Sequence, residues 1–395
     1  IRWDFKMNQL ALKKMDWALN IAIFILISIS IIFIYSAQFQ APGETGSIWF
    51  RQLIYVGIGL GLYLFTAWIN YRVLIRWATW IFSLSILLLI IVFFFPEVNG
   101  AHRWISISSF TIQPSEFAKP AVIIFLSTFA SSPDRDLDTL KTFLIALAIL
   151  LVPIILISLG PDLSSALMML PACVSILLYA GIQRRLIVFT SSLLIIFTII
   201  ICLWIKYEKP LNNSDYTSSS KILPELPIME KYQKDRIRVF LSDEYANSDA
   251  GWNKLQAQVA VGSGGLRGKG YLKGTQNMLG FLPRTVAPTD FIFCVIAEES
   301  GFAGSIIILT LYIILIARCL RCAWRAIDEF GRMVALGLSV LFFSHIFVNI
   351  AMTIGLLPIT GLPLPLLSYG GSFMITTLAA LGLIQSIYQR RELRL

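Results

Sequence analysis

Asp290 stands in Pro288-Thr-Asp-Phe-Ile-Phe-Cys-Val-Ile-Ala-Glu-Glu299, where a polar stretch gives way to an apolar run. A carboxylate at such a boundary is half desolvated, which raises its pKa and makes it a better proton acceptor. The position also suits an N-cap for the helix that follows. Gln113-Pro-Ser-Glu-Phe-Ala-Lys119 sets Glu116 and Lys119 at i and i+3 on one helix, close enough to pair. Such a pair either neutralises itself so that the helix can enter a membrane, or serves a polar substrate. Pro114 suits a first helical turn, with Ser115 as a candidate cap. Arg103-Trp104 lies just before this stretch. In Gly160-Pro-Asp-Leu-Ser-Ser-Ala166, Asp162 falls at a helix start, where capping alone accounts for it.

Two further stretches are rich in backbone breakers. Gly262-Ser-Gly-Gly-Leu-Arg-Gly-Lys-Gly270 leaves backbone N–H groups free to cradle an anion beside Arg267 and Lys269, or serves as a hinge. It has neither Walker spacing nor a preceding strand, so a nucleotide fold is excluded. Gly361-Leu-Pro-Leu-Pro-Leu-Leu-Ser-Tyr-Gly-Gly-Ser372 interrupts helix at membrane depth or its outer edge, and irregular backbone there must be buried or line a cavity. Glu298 and Glu299 lie deeper still, and at least one must face protein or water. Together these groups describe an outward-facing polar cavity. It suits an amphiphile with a phosphate-bearing head and a lipid tail.

The elements that hold them follow from composition. Of 395 residues, 57% are hydrophobic and only 14% charged. Mean hydropathy is +0.75. A soluble globule would have to expose far too much apolar surface, and disorder or a coiled coil is excluded by the same figures. The expected fold is an all-α polytopic membrane protein. At about 20 apolar residues per span, ten helices are expected, near 17–37, 53–69, 77–95, 114–131, 142–159, 163–180, 186–205, 290–316, 333–353 and 371–388. The net charge of +9 is assigned to topology, not to nucleic acid. With a cytoplasmic N-terminus, the inner pieces collect Lys13, Lys14, Arg72, Arg76, Arg184, Arg185, Arg318, Arg321 and the basic tail 390–394. The short outer loops hold only Arg51 and Arg103. Both termini are therefore expected in the cytoplasm. Residues 1–395 read as one transmembrane domain, with 206–289 as a large extracytoplasmic loop between the seventh and eighth spans. Within that loop, 235–241 and 252–261 have the pattern of amphipathic surface helices. The first apolar run lacks a small-residue cleavage site and reads as a retained helix. Cys319-Leu-Arg-Cys322 has CxxC spacing with no second pair and no His nearby, so a metal or redox role is not expected.

At these residues the chain resembles the SEDS family of polytopic peptidoglycan glycosyltransferases. The resemblance spans about 16–391. It rests on an ordered set: Arg103-Trp104, Gln113 to Lys119, Pro161-Asp-Leu163, Arg236-Ile-Arg-Val-Phe-Leu241, the glycine-rich stretch, Thr289-Asp-Phe-Ile-Phe293, and Pro363-Leu-Pro-Leu-Leu-Ser-Tyr-Gly-Gly371. Short tails, Gly274-Thr-Gln276 and His345-Ile-Phe-Val-Asn349 look more like the elongation branch, RodA, than the division branch, FtsW. The resemblance implies polymerisation of lipid II into glycan strands in the bacterial cytoplasmic membrane, at a site facing the periplasm. It implies Asp290 as the catalytic residue. Arg103, Gln113, Glu116, Lys119, Asp162, Lys269 and Ser368 become substrate-binding candidates, with the basic groups on the departing diphosphate. A divalent cation, Mg or Mn, can share that task, although the sequence holds no dedicated ligand cluster. The implied partners are lipid II, a class B penicillin-binding protein and other elongation-complex membrane proteins, with no nucleic acid.

The chain departs from the family pattern around Asp290. Gly280 and Arg284 stand where Glu is usual, and Pro288 replaces a His. Two other functions fit the buried charges. A flippase for a lipid-linked sugar would use Glu116, Lys119, Glu298 and Glu299 as its path. A scaffold recruiting a wall synthase would need none of them.

Overall fold

The computed structural model describes residues 14–39, 48–97, 102–107, 110–133, 139–182, 185–188, 192, 196, 231–241, 248–282 and 285–391. Most of the expected seventh span, Arg184, Arg284 and the tail beyond 391 lie outside them. Lipid offers backbone groups no hydrogen bonds, so apolar runs must close their own as helix. The apolar runs that are described do so: α1 (Trp17–Phe39), α2 (Ile48–Trp68), α3 (Val73–Ile91), α5 (Leu140–Leu159), α6 (Leu163–Ala180), α10 (Ile292–Arg325), α11 (Glu329–Thr353) and α12 (Gly371–Gln389). Among the described residues these eight are long and apolar enough to cross a membrane. The expected fourth span is α4 (Pro114–Ala130), only 17 residues long and carrying Glu116, Lys119 and Pro120. The expected surface helices are α7 (Lys231–Leu241) and α8 (Asp249–Ser263), followed by one turn, α9 (Thr275–Met278).

One element departs from the all-helical expectation. Between α3 and α4 an antiparallel ribbon pairs β1 (Ile105–Ile107) with β2 (Phe110–Ile112), opposing Ile105 to Ile112. Its alternation was too short to register in the sequence.

Helices α1 and α10 run antiparallel and define the two ends of the bundle. At one end Asp16 pairs with Arg318 at 2.6 Å. At the other, the Ser36 hydroxyl donates to Glu299 at 2.6 Å. Helix α11 is central, packed against α4, α6 and α10, while α12 lies along α2. The α2–α12 seam closes with polar links: Thr66 donates to the Ala379 carbonyl at 3.0 Å, and Arg390 to the Trp68 carbonyl at 2.7 Å. Helices α7 and α8, the segment after α11 and the start of α10 gather at the Ser36–Glu299 end.

Candidate active site

The turn that carries Asp290 is held from three directions. The Val286 carbonyl accepts the amides of Thr289 (3.2 Å), Asp290 (2.9 Å) and Phe291 (3.1 Å). The side-chain amide of Asn349, on α11, donates to the Asp290 carbonyl at 2.9 Å and to the Leu362 carbonyl at 2.7 Å. From the 360–370 segment, the Tyr369 amide donates to the Pro288 carbonyl at 2.9 Å and the Ser368 hydroxyl to the Thr289 carbonyl. This fixes the backbone and leaves the carboxylate for other work. Phe291 holds the cap position of α10, with no side-chain cap bond. The capping alternative for Asp290 is thus not what the chain adopts.

The Asp290 carboxylate is partly buried and faces a cation from the loop. Gly361 has φ +74°, and a Cβ there would lie 3.1 Å from Arg236 Nη1 and 3.4 Å from Asp290 Oδ2. Those two atoms are therefore no more than 6.5 Å apart. Burial raises the Asp290 pKa from 3.8 to about 6, with Arg236 and Thr289 opposing the rise.

A second polar cluster lies one helical turn along α11. Gln113 takes the extended N-cap position of α4 and Pro114 its first turn, without a side-chain cap, so Ser115 does not serve as the cap. Lys119 Nζ donates to Glu116 at 2.8 Å and lies 3.2 Å from His345 Nε2. The Lys119 and Glu116 side chains are 1% and 5% exposed, so each charge depends on the other. Asp162 caps α6 through the Ser165 amide at 3.3 Å. Its second oxygen accepts from Gln113 Nε2 at 3.1 Å and from the Ser115 hydroxyl at 3.5 Å. Arg103 donates to the carbonyls of Gly160 (3.3 Å) and Pro161. Arg103, Ser115 and Asp162 line one small recess. The two clusters are tied by α11, which carries both His345 and Asn349, and by the Ser164 hydroxyl on the Thr360 carbonyl at 2.9 Å.

Arg103, Gln113, Glu116, Lys119 and Asp162 thus share one cluster, joined to the Asp290 turn through α11 and the Ser164–Thr360 bond. Lys269 and Ser368 do not. Ser368 is wholly buried, with its hydroxyl between the Thr289 carbonyl and the Leu364 amide, so it supports the Asp290 turn. Lys269 pairs with Glu298 at 2.6 Å and also donates to Thr275.

The glycine-rich stretch corrects the anion-cradle expectation. Helix α10 is broken at Gly301 (φ 69°, ψ −163°), which frees carbonyls before it and amides after it. The Lys269 and Gly270 amides donate to the Glu298 and Glu299 carbonyls at 3.0 and 2.9 Å. In return, the Phe302 and Ala303 amides donate to the carbonyls of Gly265 and Leu266 at 2.8 and 3.1 Å. Of the stretch's amides, those of Lys269 and Gly270 are thus spent on the helix break and that of Gly268 on the Gly264 carbonyl at 2.8 Å, so these three do not serve an anion. Glu298 and Glu299 are buried at the same seam, Glu299 held by Ser36.

Sequence reasoning did not place Arg236, His345 or Asn349 in a site. They lie far along the chain from their partners, and only membership of the family motifs marked them. Among the described residues, no group of three or more His, Cys, Asp or Glu is placed to hold a metal ion. Cys319 and Cys322 are buried in α10, and the Cys322 thiol donates to the Ile384 carbonyl at 3.2 Å.

A mostly helical membrane bundle of this kind has known counterparts. The cell cycle protein family of FtsW, RodA and SpoVE matches residues 17–393, and the chain belongs to that family, the SEDS family. It is 36% identical over 365 residues to the peptidoglycan glycosyltransferase MrdB of Escherichia coli strain K12, covering 91% of each chain. It is 33% identical over 430 residues to the peptidoglycan glycosyltransferase RodA of Treponema pallidum, covering 95% of this chain and 98% of the relative. Its fold matches a chain of a solved peptidoglycan synthase complex that coordinates polymerisation and crosslinking. That match has a TM-score of 0.76 at 25% identity, covering 96% of this chain and 99% of the other.

Proposed function

We propose that this chain polymerises lipid II into glycan strands during cell-wall elongation, with Asp290 as general base. Family membership and relatives at 33–36% identity over more than nine-tenths of the chain make it a peptidoglycan glycosyltransferase of the bacterial cytoplasmic membrane. The acceptor sugar's 4-hydroxyl attacks the anomeric carbon of the donor. As the new C–O bond forms, the Asp290 carboxylate takes the hydroxyl proton. The bond from the anomeric carbon to the diphosphate oxygen breaks, and that oxygen leaves with the electron pair. Arg103, Gln113, Glu116, Lys119 and Asp162 hold the polar parts of the substrates beside the base. Lys269 and Ser368 act indirectly, through the loop and the Asp290 turn.

The supporting observation is the state of Asp290. Its backbone is clamped by Asn349, Tyr369 and Ser368, while its carboxylate caps nothing and faces Arg236. A carboxylate with a pKa of about 6 is a stronger proton acceptor than an ordinary one and is still mostly ionised near neutral pH. In this reading residues 1–395 form one domain of ten spans with both termini in the cytoplasm. The 206–289 loop and the site face the periplasm. The strand then passes to a class B penicillin-binding protein within an elongation complex, as polymerisation and crosslinking are coordinated in the solved synthase complex. The test is strand synthesis from purified lipid II by wild type and Asp290→Asn. General base removal should cost about 10²–10⁴ in rate. Normal synthesis by Asp290→Asn would remove the assignment.

A further inference from the structure

His345 lies between the two polar clusters, and the reaction scheme above gives it no part. It sits inside α11 and is 1% exposed. Its Nε2 lies 3.2 Å from Lys119 Nζ. An ammonium offers only donors, so at that distance the imidazole nitrogen must accept. The ring's own proton then sits on Nδ1 and the ring is neutral, since two buried cations 3.2 Å apart would repel strongly. On its other side Lys119 Nζ donates to Glu116 at 2.8 Å. The Phe373 ring of α12 covers both groups, its centroid 5.3 Å from that of His345 and 5.9 Å from Lys119 Nζ.

These contacts decide where the ammonium rests. Lys119 and Glu116 stand at i and i+3 on α4, so their bond alone would fold the lysine back along its own helix. The bond to His345 draws it across to α11 instead. A ring kept for packing alone would be served by Phe, which has no nitrogen to desolvate. Here a buried nitrogen is aimed at a buried charge. Asn349 follows at i+4 on the same face of α11, about 6 Å along the axis, and holds the Asp290 carbonyl. One helix face thus carries the residue that fixes the cation and the residue that fixes the turn of the base.

We infer that His345 is a positioning residue for strand synthesis: as a neutral acceptor it holds the Lys119 ammonium against α11 and so sets that cation in register with the Asp290 turn. The inference rests on the glycosyltransferase reading, in which Lys119 holds a polar part of the substrates. His345 itself touches no substrate and carries no proton in the reaction. The two α11 residues then act on different constants. Displacing the ammonium loosens the hold on substrate, which raises KM. Displacing the base slows the chemical step, which lowers kcat.

The test is strand synthesis from lipid II by the full chain, wild type beside His345→Phe and His345→Gln, with thermal unfolding of each. His345→Phe keeps a ring and removes the acceptor. It should raise KM for lipid II about tenfold, the loss of one hydrogen bond to a charged group, with kcat within about threefold of wild type. His345→Gln places a carbonyl oxygen as many bonds from the backbone as Nε2. It should restore KM to within about threefold of wild type. The pH profile of kcat/KM should be the same in both proteins, because no proton passes through position 345. An unchanged KM in His345→Phe, whatever its kcat, would overturn the inference. So would a His345→Gln protein with KM raised as in His345→Phe, since the imidazole's own proton would then be in use. If His345→Phe does not fold, His345→Gln against wild type decides alone: a normal KM supports the acceptor role and a raised one overturns it. Lipid II binding in the Asp290→Asn background keeps the two readings apart. There His345→Phe should weaken binding by the same factor without turnover. Normal synthesis by Asp290→Asn would remove the base and leave the His345 pattern standing, while a wild-type KM in His345→Phe would do the reverse.

Discussion

The Asn349 side-chain amide bridges two carbonyls that are 72 residues apart in the chain, those of Asp290 and Leu362. It is wholly buried, and the Leu362 carbonyl it serves is buried with it. The Asp290 turn and the segment beyond α11 are thereby set on one helix.

Replacing Asn349 with Leu keeps the bulk and removes both donors. Each buried carbonyl left without a partner costs about 1–3 kcal/mol. The variant should unfold at a lower temperature and lose at least about tenfold in kcat, with KM for lipid II little changed, because a misplaced base slows chemistry more than binding. Unaltered kcat in a destabilised Asn349→Leu protein would show that the turn holds Asp290 without this bridge.

The raised pKa of Asp290 sets a pH dependence for both rate and stability. As a base it works only when ionised, so kcat/KM should rise with pH through about 6 and fall about tenfold per unit below it. For stability the sign is opposite. Between 3.8 and about 6 the folded chain holds a proton that the unfolded chain has lost. Stability therefore falls as pH rises through that window. Asp290→Asn removes this dependence and, at pH 8, should be more stable than wild type by at most about 3 kcal/mol while inactive. Thermal unfolding from pH 4 to 8, beside the rate profile, checks both. A wild-type stability that does not fall across that window relative to Asp290→Asn would contradict the desolvated carboxylate.

The Glu116–Lys119 pair makes a different prediction, because both charges are buried. Lys119→Met strands the Glu116 carboxylate and should cost about 3–5 kcal/mol. Adding Glu116→Gln should recover most of that stability. Polymerisation should not recover, since both groups are proposed to meet substrate. A double variant that synthesises strands at the wild-type rate would reduce the pair to a device for inserting α4 into the membrane.

Much of this was legible in the sequence because apolar length alone fixes where helices form. The runs at 17–37, 142–159 and 371–388 reappear as α1, α5 and α12 within a few residues. The i, i+3 spacing of Glu116 and Lys119 and the Gly-Pro-Asp start of α6 were equally readable, since pairing and capping are local. What stayed hidden depends on tertiary approach. No local pattern relates His345 to Lys119 or Arg236 to Asp290. The glycine-rich stretch misled because its amides were counted as free, while a helix break some thirty residues on supplies acceptors for those of Lys269 and Gly270. Gly301, directly after Glu298-Glu299-Ser300 inside a spanning run, was the available clue.

That break gives the last prediction. At Gly301 a Cβ would lie 2.2 Å from the Gly268 amide nitrogen, and its φ of +69° is one that other residues resist. Strain of this kind costs about 1–3 kcal/mol. Gly301→Ala should therefore expel the 265–270 loop from α10 and release four hydrogen bonds at once, those of Lys269, Gly270, Phe302 and Ala303. Amide hydrogen exchange reads these positions directly, and all four should lose protection together. Gly57, in α2 with nothing within 4 Å of its would-be Cβ, is the control, and Gly57→Ala should leave the same amides protected. With the loop released, Lys269 no longer shields the buried Glu298, so activity should drop even though no residue near Asp290 has changed. Retained protection in Gly301→Ala would mean that the backbone bonds between loop and helix survive a Cβ at this position, which would refute the predicted strain.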